Sequence, residues 1–144
     1  MYRGISAINV DEKGRIALPT RYRDELEAVV VTIDTEEKCL LLYPQAVWED
    51  IEEKIESLPS FNPAARRIQR LLIGHATDLN LDNNGRILLP QLLRDYASLE
   101  KQVMLVGQGK KFEIWSAAIW EEHRKDWLNT NTTAADALPV ELQM

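Results

Sequence analysis

The chain has 144 residues, of which 45% are hydrophobic, and its formal net charge is −6. This length favours one compact domain, and no apolar run approaches the roughly 20 residues that a membrane-spanning helix requires. Cys39 is the single cysteine, which excludes an intrachain disulfide and a cysteine-based metal cluster. The N-terminal residues contain no apolar stretch of signal-peptide length, so we expect a cytoplasmic protein.

Four strands and two helices are predicted in the first half of the chain. The strands are expected at residues 5–11, 15–18, 29–33 and 39–43. Gly14 allows a tight turn between the first two strands, because glycine adopts positive φ at little cost. Pro19 suits the first turn of a helix that extends to about Ala28. Pro44 begins an amphipathic helix with an acidic outer face.

A helix without a counterpart elsewhere in the chain is predicted to connect the two halves. Asn62 can cap its N-terminus, Pro63 suits its first position, and Gly74 is expected to close it. The second half then repeats the order of the first, with strands at 76–82, 86–89, 102–107 and 111–115 and helices at 90–98 and 117–128. The polar segment 129–144 lacks periodicity and is predicted to be disordered.

An internal repeat relates the two halves. Residues 8–24, I-N-V-D-E-K-G-R-I-A-L-P-T-R-Y-R-D, return as residues 79–95, L-N-L-D-N-N-G-R-I-L-L-P-Q-L-L-R-D, at a constant offset of 71. Two copies predict a pseudo-symmetric α+β domain rather than an extended solenoid. Because four short strands cannot bury a core alone, we expect both halves to interleave their eight strands into one closed or nearly closed sheet.

Charge is distributed unevenly along the chain. Residues 1–24 carry five basic and three acidic side chains, whereas residues 25–60 carry two basic and ten acidic ones. Residues 61–75 add the three arginines Arg66, Arg67 and Arg70. Segregated positive charge is what a surface that binds a polyanion requires, in spite of the negative total.

The repeated motif Asp-x-x-Gly-Arg is the candidate functional element. It occurs as Asp11, Gly14 and Arg15 and again as Asp82, Gly85 and Arg86. The aspartate can accept turn hydrogen bonds and can hold the arginine guanidinium in one orientation. A guanidinium held in this way suits bidentate contacts to guanine edges or to phosphates. The alternative interpretation is structural, with Asp and Arg merely stabilising the turn.

Several longer stretches resemble one bacterial family. The chain opens with Y-R-G and contains V-D-E-K-G-R-I-A-L-P-T-R-Y-R, C-L-L-L-Y-P, N-P-A-A-R-R-I-Q-R-L-L-I-G-H-A and M-L-V-G-Q-G-K-K-F-E-I-W, in that order. These motifs span roughly residues 1–128 and are similar to those of the MraZ family of transcriptional regulators. The resemblance implies two tandem swapped-hairpin modules of the SpoVT/AbrB type in a barrel-like, double-psi α+β domain. The modules would occupy residues 5–47 and 76–119, with connecting helices at 48–75.

The resemblance also implies a function and its partners. It implies ring-shaped homo-oligomers that bind double-stranded DNA at short direct repeats upstream of the division and cell-wall gene cluster. The protein would then be cytoplasmic and nucleoid-associated. In that family the Asp-x-x-x-Arg signature contacts DNA, and Asp11/Arg15 and Asp82/Arg86 match it. We expect no cofactor, no metal, no membrane and no small-molecule substrate.

Six basic residues are the candidate DNA contacts, and they are Arg15, Lys13, Arg3, Arg86, Arg21 and Arg23. Arg15 is the first choice for a base contact, with Lys13 and Arg3 supporting it through phosphates. Four residues are expected to orient the hairpins, namely Asp11, Gly14, Asp82 and Gly85. Because the first copy has more neighbouring positive charge, we expect it to meet DNA while the second mainly completes the fold or the ring.

Other functions receive less support from the sequence. No phosphate-binding loop, nucleophile elbow or zinc-binding histidine pair is present, and an aspartate beside an arginine stays ionised and is a poor proton donor. A more serious alternative is an AbrB- or antitoxin-like scaffold whose hairpins contact a protein partner. The four tryptophans and two histidines are expected to be structural rather than stacking or metal-binding residues.

Overall fold

A computed structural model describes residues 1–130 and shows an α+β fold. The strands are β1 Ile5–Asn9, β2 Arg15–Ala17, β3 Ala28–Ile33, β4 Leu40–Pro44, β5 Thr77–Asn80, β6 Arg86–Leu88, β7 Gln102–Gly107 and β8 Phe112–Ser116. The helices are α1 Gln45–Glu56, α2 Pro63–Ile68, α3 Gln91–Tyr96 and α4 Ala117–Asn129. The predicted α+β class is thereby confirmed. Among the described helices, none combines the length and the apolar character that crossing a membrane requires.

The eight described strands form two sheets rather than one closed sheet. Six of them pair antiparallel in the order β1-β7-β8-β4-β3-β5, and β2 pairs only with β6. The prediction of a closed or nearly closed barrel was therefore wrong. The strands β2 and β6 are only three residues long and pair with each other, and neither has a ladder to the edge strands β1 and β5. We call this two-stranded unit the ribbon.

The two halves exchange their first strands. β1 of the first half pairs with β7 of the second, and β5 of the second half pairs with β3 of the first. The fourth strands, β4 and β8, pair with each other at the centre of the sheet. Neither half can complete its sheet without the other, which explains why the repeat folds as one unit.

The six-stranded sheet has a core on each face, because successive side chains of a strand point to opposite sides. The inner core lies between the sheet and the ribbon, where Ile16 and Ile87 are buried with Leu42 and Leu105. The outer face is covered in two parts. α1 and the segment after α2 cover the first-half strands, and α4 covers β7 and β8. The ribbon and α1 therefore lie on opposite sides of the sheet.

The helix predicted after Pro19 is shorter in the structure, and the connecting helix agrees with its prediction at its start but not at its end. The helix expected from Pro19 to about Ala28 is only a 3₁₀ turn at Thr20–Tyr22, and the chain enters β3 at Ala28, where the Glu27 carbonyl accepts from the Leu81 backbone N–H. The connecting helix does begin as predicted, with the Asn62 side chain accepting from two backbone N–H groups at 2.9 and 3.3 Å.

The connecting helix ends differently from its prediction. Gly74 does not close it in a left-handed conformation, since its φ of −59° is helical. A π-helical segment, Gln69–Ile73, precedes it. The hydroxyl of the buried Thr32 donates to the Leu72 carbonyl at 2.7 Å, which ties this segment to the sheet.

The tryptophans are largely core residues, as predicted. Trp115, Trp48 and Trp120 are buried, and Trp127 at the end of α4 is half exposed. The ring nitrogen Nδ1 of His75 lies 2.7 Å from the Leu71 carbonyl oxygen, in keeping with a structural histidine. Disorder was predicted for residues 129–144. Residue 129 is instead the last residue of α4, and residues 131–144 lie outside the described residues.

Candidate nucleic-acid interface

We call the turns at residues 11–15 and 82–86 the first and the second tip. The first tip is stabilised by one aspartate. Oδ1 of Asp11 accepts from the backbone N–H of Lys13 at 2.9 Å and of Arg15 at 2.8 Å. Oδ2 accepts from Nε of Arg15 at 2.6 Å. The carboxylate therefore closes the turn with one oxygen and orients the guanidinium with the other. Gly14, at φ 90°, supplies the left-handed residue that the turn needs.

The second tip repeats this geometry. Oδ1 of Asp82 accepts from the backbone N–H of Asn84 at 2.8 Å and of Arg86 at 2.9 Å, and Oδ2 accepts from Nε of Arg86 at 3.0 Å. Gly85 takes the left-handed position, at φ 71°. The side chains of Arg15 and Arg86 are 26% and 30% exposed, and no hydrogen bond within residues 1–130 uses their Nη atoms, so these donors are available to a ligand.

Both aspartates are held in the ionised state. The main cause that lowers the pKa of Asp11 below 3.8 is the hydrogen bond from the backbone N–H of Arg15. Desolvation opposes this, and the Arg15 guanidinium and the Lys13 N–H lower the pKa further. The backbone N–H of Arg86 likewise lowers the pKa of Asp82. An ionised aspartate cannot act as a proton donor at neutral pH, so the tips are built for orientation rather than for acid–base chemistry.

Each tip is locked by the opposite half of the chain. The backbone N–H of Leu18 donates to the Gly85 carbonyl at 2.9 Å, and that of Leu89 donates to the Gly14 carbonyl at 3.1 Å. Nε of Arg23 donates to the Leu18 carbonyl at 2.9 Å. A Cβ atom at Gly85 would collide with this same Arg23 side chain. Arg23 is thus wedged beside the second tip.

Arg94 packs against the glycine of the first tip, as Arg23 packs against the glycine of the second. Its Nε donates to the Leu89 carbonyl at 2.9 Å, and a Cβ atom at Gly14 would lie 2.6 Å from its Cζ atom. Sequence reasoning did not single out Arg94, although it lies at the repeat offset from Arg23 and the repeat could have identified it. Glycine is required at both tips because these arginine side chains occupy the space of a Cβ atom.

The ribbon brings the two arginines onto one exposed face. Ile16 pairs with Ile87 at the centre, and both point into the inner core. Their neighbours point outward, with Arg15 opposite Leu88 and Ala17 opposite Arg86. Arg15 and Arg86 are therefore diagonal neighbours, which places their Cα atoms about 7–8 Å apart. We call these four outward residues the ribbon face.

The other predicted basic residues lie in different places. Lys13 is exposed at the first tip. Arg3 and Arg21 lie near the opposite end of β1, where the Tyr22 hydroxyl donates to the Arg3 carbonyl at 2.8 Å and Arg21 lies over the Tyr22 ring at 4.6 Å. β1 separates them from the tip by about 17 Å. Because Tyr22 packs on the inner core, Arg21, which lies over its ring, is on the ribbon's side of the sheet, and the Arg3 backbone is tied to the same tyrosine.

An acidic helix lies on the other side of the sheet from the ribbon. α1 carries five acidic residues, which are Glu49, Asp50, Glu52, Glu53 and Glu56, and it packs on the outer face through Trp48 and Ile55. The six-stranded sheet therefore stands between this acidic helix and the ribbon face. The chain is acidic overall, yet the arginines of its ribbon do not share a surface with that helix.

One group of three side chains outside the ribbon has donor atoms close together. The ligand atoms of Asp34, Cys39 and Glu113 lie within 4.8 Å of one another. Burial raises the pKa of the Cys39 thiol far above its usual range, and the nearby carboxylates raise it further. One oxygen of Glu113 is already engaged, accepting from Nε1 of Trp115 at 2.8 Å.

Comparison with known proteins places the chain in a family of regulators. A family model described as "MraZ protein, putative antitoxin-like" matches twice, at residues 1–71 and 72–139. A transcriptional regulator MraZ of Legionella pneumophila (strain Corby) is 58% identical over 148 residues, covering 99% of this chain and 97% of the relative. The same name belongs to relatives in Coxiella burnetii (strain RSA 493 / Nine Mile phase I), at 58% identity, and Alkalilimnicola ehrlichii, at 54%, each with the same coverage. The chain belongs to the MraZ family.

Proposed function

We propose that this protein regulates transcription by binding specific DNA sequences through the ribbon face. The observation that carries the proposal is the pair of Asp-oriented arginines, Arg15 and Arg86, on one exposed face of a rigid two-stranded ribbon. The major groove of B-DNA admits a two-stranded ribbon, and arginine is the residue that most often reads guanine there. The names of the relatives, which are transcriptional regulators, support the same role.

The charge distribution supports this orientation on DNA. With the ribbon face against the groove, α1 and its acidic side chains face away from the duplex. Arg3 and Arg21 then lie on the DNA side, where they can contact phosphates that flank the groove. Arg23 has a fixed position beside the second tip, so in this proposal it supports the hairpin and contacts a phosphate at most through its free nitrogen atoms.

The finer features implied by the family resemblance are part of the proposal. The exchange of first strands between the halves supports two swapped-hairpin modules, at 5–47 and 76–119, joined by the helices of 48–75. The operator would consist of direct repeats upstream of the division and cell-wall gene cluster. A ring of identical chains would place several ribbon faces against successive repeats, and this multivalency would compensate for the few cations of each face.

Native mass spectrometry of the full chain with and without repeat-containing promoter DNA tests the proposal. We expect a homo-oligomer that binds DNA, with an affinity that falls steeply as salt rises because phosphate contacts release counterions. Scrambled DNA of the same composition is the control. Equal affinity for both DNAs, or no DNA binding at all, would favour instead a scaffold whose hairpins contact a protein.

A further inference from the structure

The ribbon face is two-fold symmetric in its backbone but not in its side chains. The pseudo-two-fold axis passes between Ile16 and Ile87 and relates Arg15 to Arg86 and Ala17 to Leu88. The arginines are the same at both ends. Their neighbours are not, because Arg15 stands opposite a leucine and Arg86 opposite an alanine.

Leu88 is unusual for its position. Leu88 is 52% exposed, and its neighbours on the ribbon face are two arginines, Arg15 across the ribbon and Arg86 two residues earlier. The ribbon does not need it for the inner core, since Ile16 and Ile87 fill that role with almost no exposure. An exposed leucine beside an oriented arginine suits a ligand that offers an apolar group next to a hydrogen-bond acceptor.

We infer that Leu88 is a specificity-determining residue that contacts the methyl group of a thymine next to the base read by Arg15. This inference rests on the proposed DNA-binding function. In the major groove the thymine C5 methyl is the apolar group, and guanine N7 and O6 are the acceptors that match a guanidinium. Residues that face each other across a ribbon have Cβ atoms about 5 Å apart, and base pairs are about 3.4 Å apart, so the long side chains of Arg15 and Leu88 can reach two adjacent bases.

This contact gives the reading face a direction. A face with identical ends would bind a site equally well in both orientations. With leucine beside Arg15 and alanine beside Arg86, only one orientation places an apolar side chain on the thymine methyl. Such a face prefers sites that all point the same way, and on the ribbon face itself this preference comes from one pair of residues, Ala17 and Leu88.

Replacing single thymines by deoxyuridine, which lacks only the methyl group, tests the inference directly. Using a repeat-containing duplex, we expect the parent protein to lose about fourfold in affinity at one thymine position per repeat, the value of one buried methyl group. Leu88→Ala should bind the thymine and deoxyuridine duplexes equally. The control Leu92→Ala removes another leucine, 65% exposed but outside the ribbon, and should keep the deoxyuridine effect.

The possible outcomes distinguish a failure of the proposed role of Leu88 from a failure of the proposed DNA-binding function. A parent protein that binds the repeats but ignores every deoxyuridine substitution would overturn the role of Leu88 and leave DNA binding intact. So would a Leu88→Ala variant that retains the deoxyuridine effect, or one whose subunit number changes in native mass spectrometry, since Leu88 would then contact another chain. A parent that binds no repeat DNA would overturn the proposed function itself.

Discussion

The two hairpin tips share their internal geometry and differ in what surrounds them. In each, an aspartate accepts two turn N–H groups and one arginine Nε, and a left-handed glycine lies against an arginine from the other half. The loop residues differ, with Glu12-Lys13 in the first tip and Asn83-Asn84 in the second. The repeat thus conserves the means of orienting an arginine, while the residues around each arginine are free to set what it reads.

The comparison also changes what is expected of the second tip. From the sequence, the second tip is expected mainly to complete the fold or the ring because fewer cations surround it, although Arg86 is among the candidate DNA contacts. The ribbon nevertheless places Arg86 on the same face as Arg15. The two arginines are therefore unequal partners in one interface in our proposal, rather than one contact residue and one structural residue.

The largest expected effect is the loss of DNA affinity when Arg15 and Arg86 are replaced one at a time. We expect Arg15→Ala to weaken binding to repeat DNA by about ten- to a hundredfold, the value of one bidentate guanine contact, and Arg86→Ala to weaken it less. The measurement is fluorescence anisotropy at fixed salt. Arg124→Ala, on the exposed surface of α4, is the matched loss of one positive charge and should have little effect. Equal losses for all three variants would contradict the ribbon face as the reading surface.

The tip glycines should give the next largest effect. Gly14→Ala and Gly85→Ala each place a side chain at positive φ and against an arginine, so we expect each to lower the free energy of unfolding by about 2 kcal/mol. Gly74→Ala is the control, because Gly74 is helical and has open space around it; it should stabilise the protein by up to about 1 kcal/mol. Urea unfolding at one protein concentration measures all three. Tip variants as stable as the parent would remove the steric role of the arginines.

The sequence predicts the local elements well because they follow from local chemistry. The turn at Gly14, the cap at Asn62 and the strand at 102–107 all depend on residues close in the chain, and the structure has each of them. The two tips were also predictable as tips, since the repeat preserves the aspartate, the glycine and the arginine of each turn.

The arrangement of those elements depends on contacts between distant residues and was not predictable. The expected closed sheet fails because β2 pairs with β6, some 70 residues away, instead of with its neighbours. The same pairing places Arg86 and Leu88 beside Arg15, and no local pattern shows this. The packing of Arg94 on Gly14 likewise requires the fold, although the repeat relates Arg94 to Arg23.

A smaller effect should test whether Arg94 and Gly14 act as one unit. Arg94→Ala removes a hydrogen bond to the Leu89 carbonyl, and we expect it to cost about 1 kcal/mol of unfolding free energy. In that variant, Gly14→Ala should cost less than in the parent, because the collision with the guanidinium is gone and only the φ strain remains. Arg23→Ala with Gly85→Ala is the equivalent pair at the second tip. Costs that simply add, within about 0.5 kcal/mol, would show that the two residues do not interact.

The smallest effect concerns the ionisation of the two aspartates. Both have a folded pKa below the unfolded value of 3.8, so each contributes stability above pH 3.8 that is lost as the pH falls through the folded pKa. A carboxyl carbon NMR titration should place the transitions of both Asp11 and Asp82 below 3.8, and a transition at or above 3.8 for either would contradict the hydrogen bonding of that tip.

The same titration can separate the two roles of Arg15 toward Asp11. The largest cause of the low pKa is the backbone N–H of Arg15, and this group survives the substitution Arg15→Ala. We therefore expect Arg15→Ala to raise the pKa of Asp11 only part of the way towards 3.8, while DNA affinity falls sharply. A full return to 3.8 would mean that the side chain, rather than the backbone, holds the first tip closed. The turn would then depend on the very guanidinium that it is proposed to present to DNA.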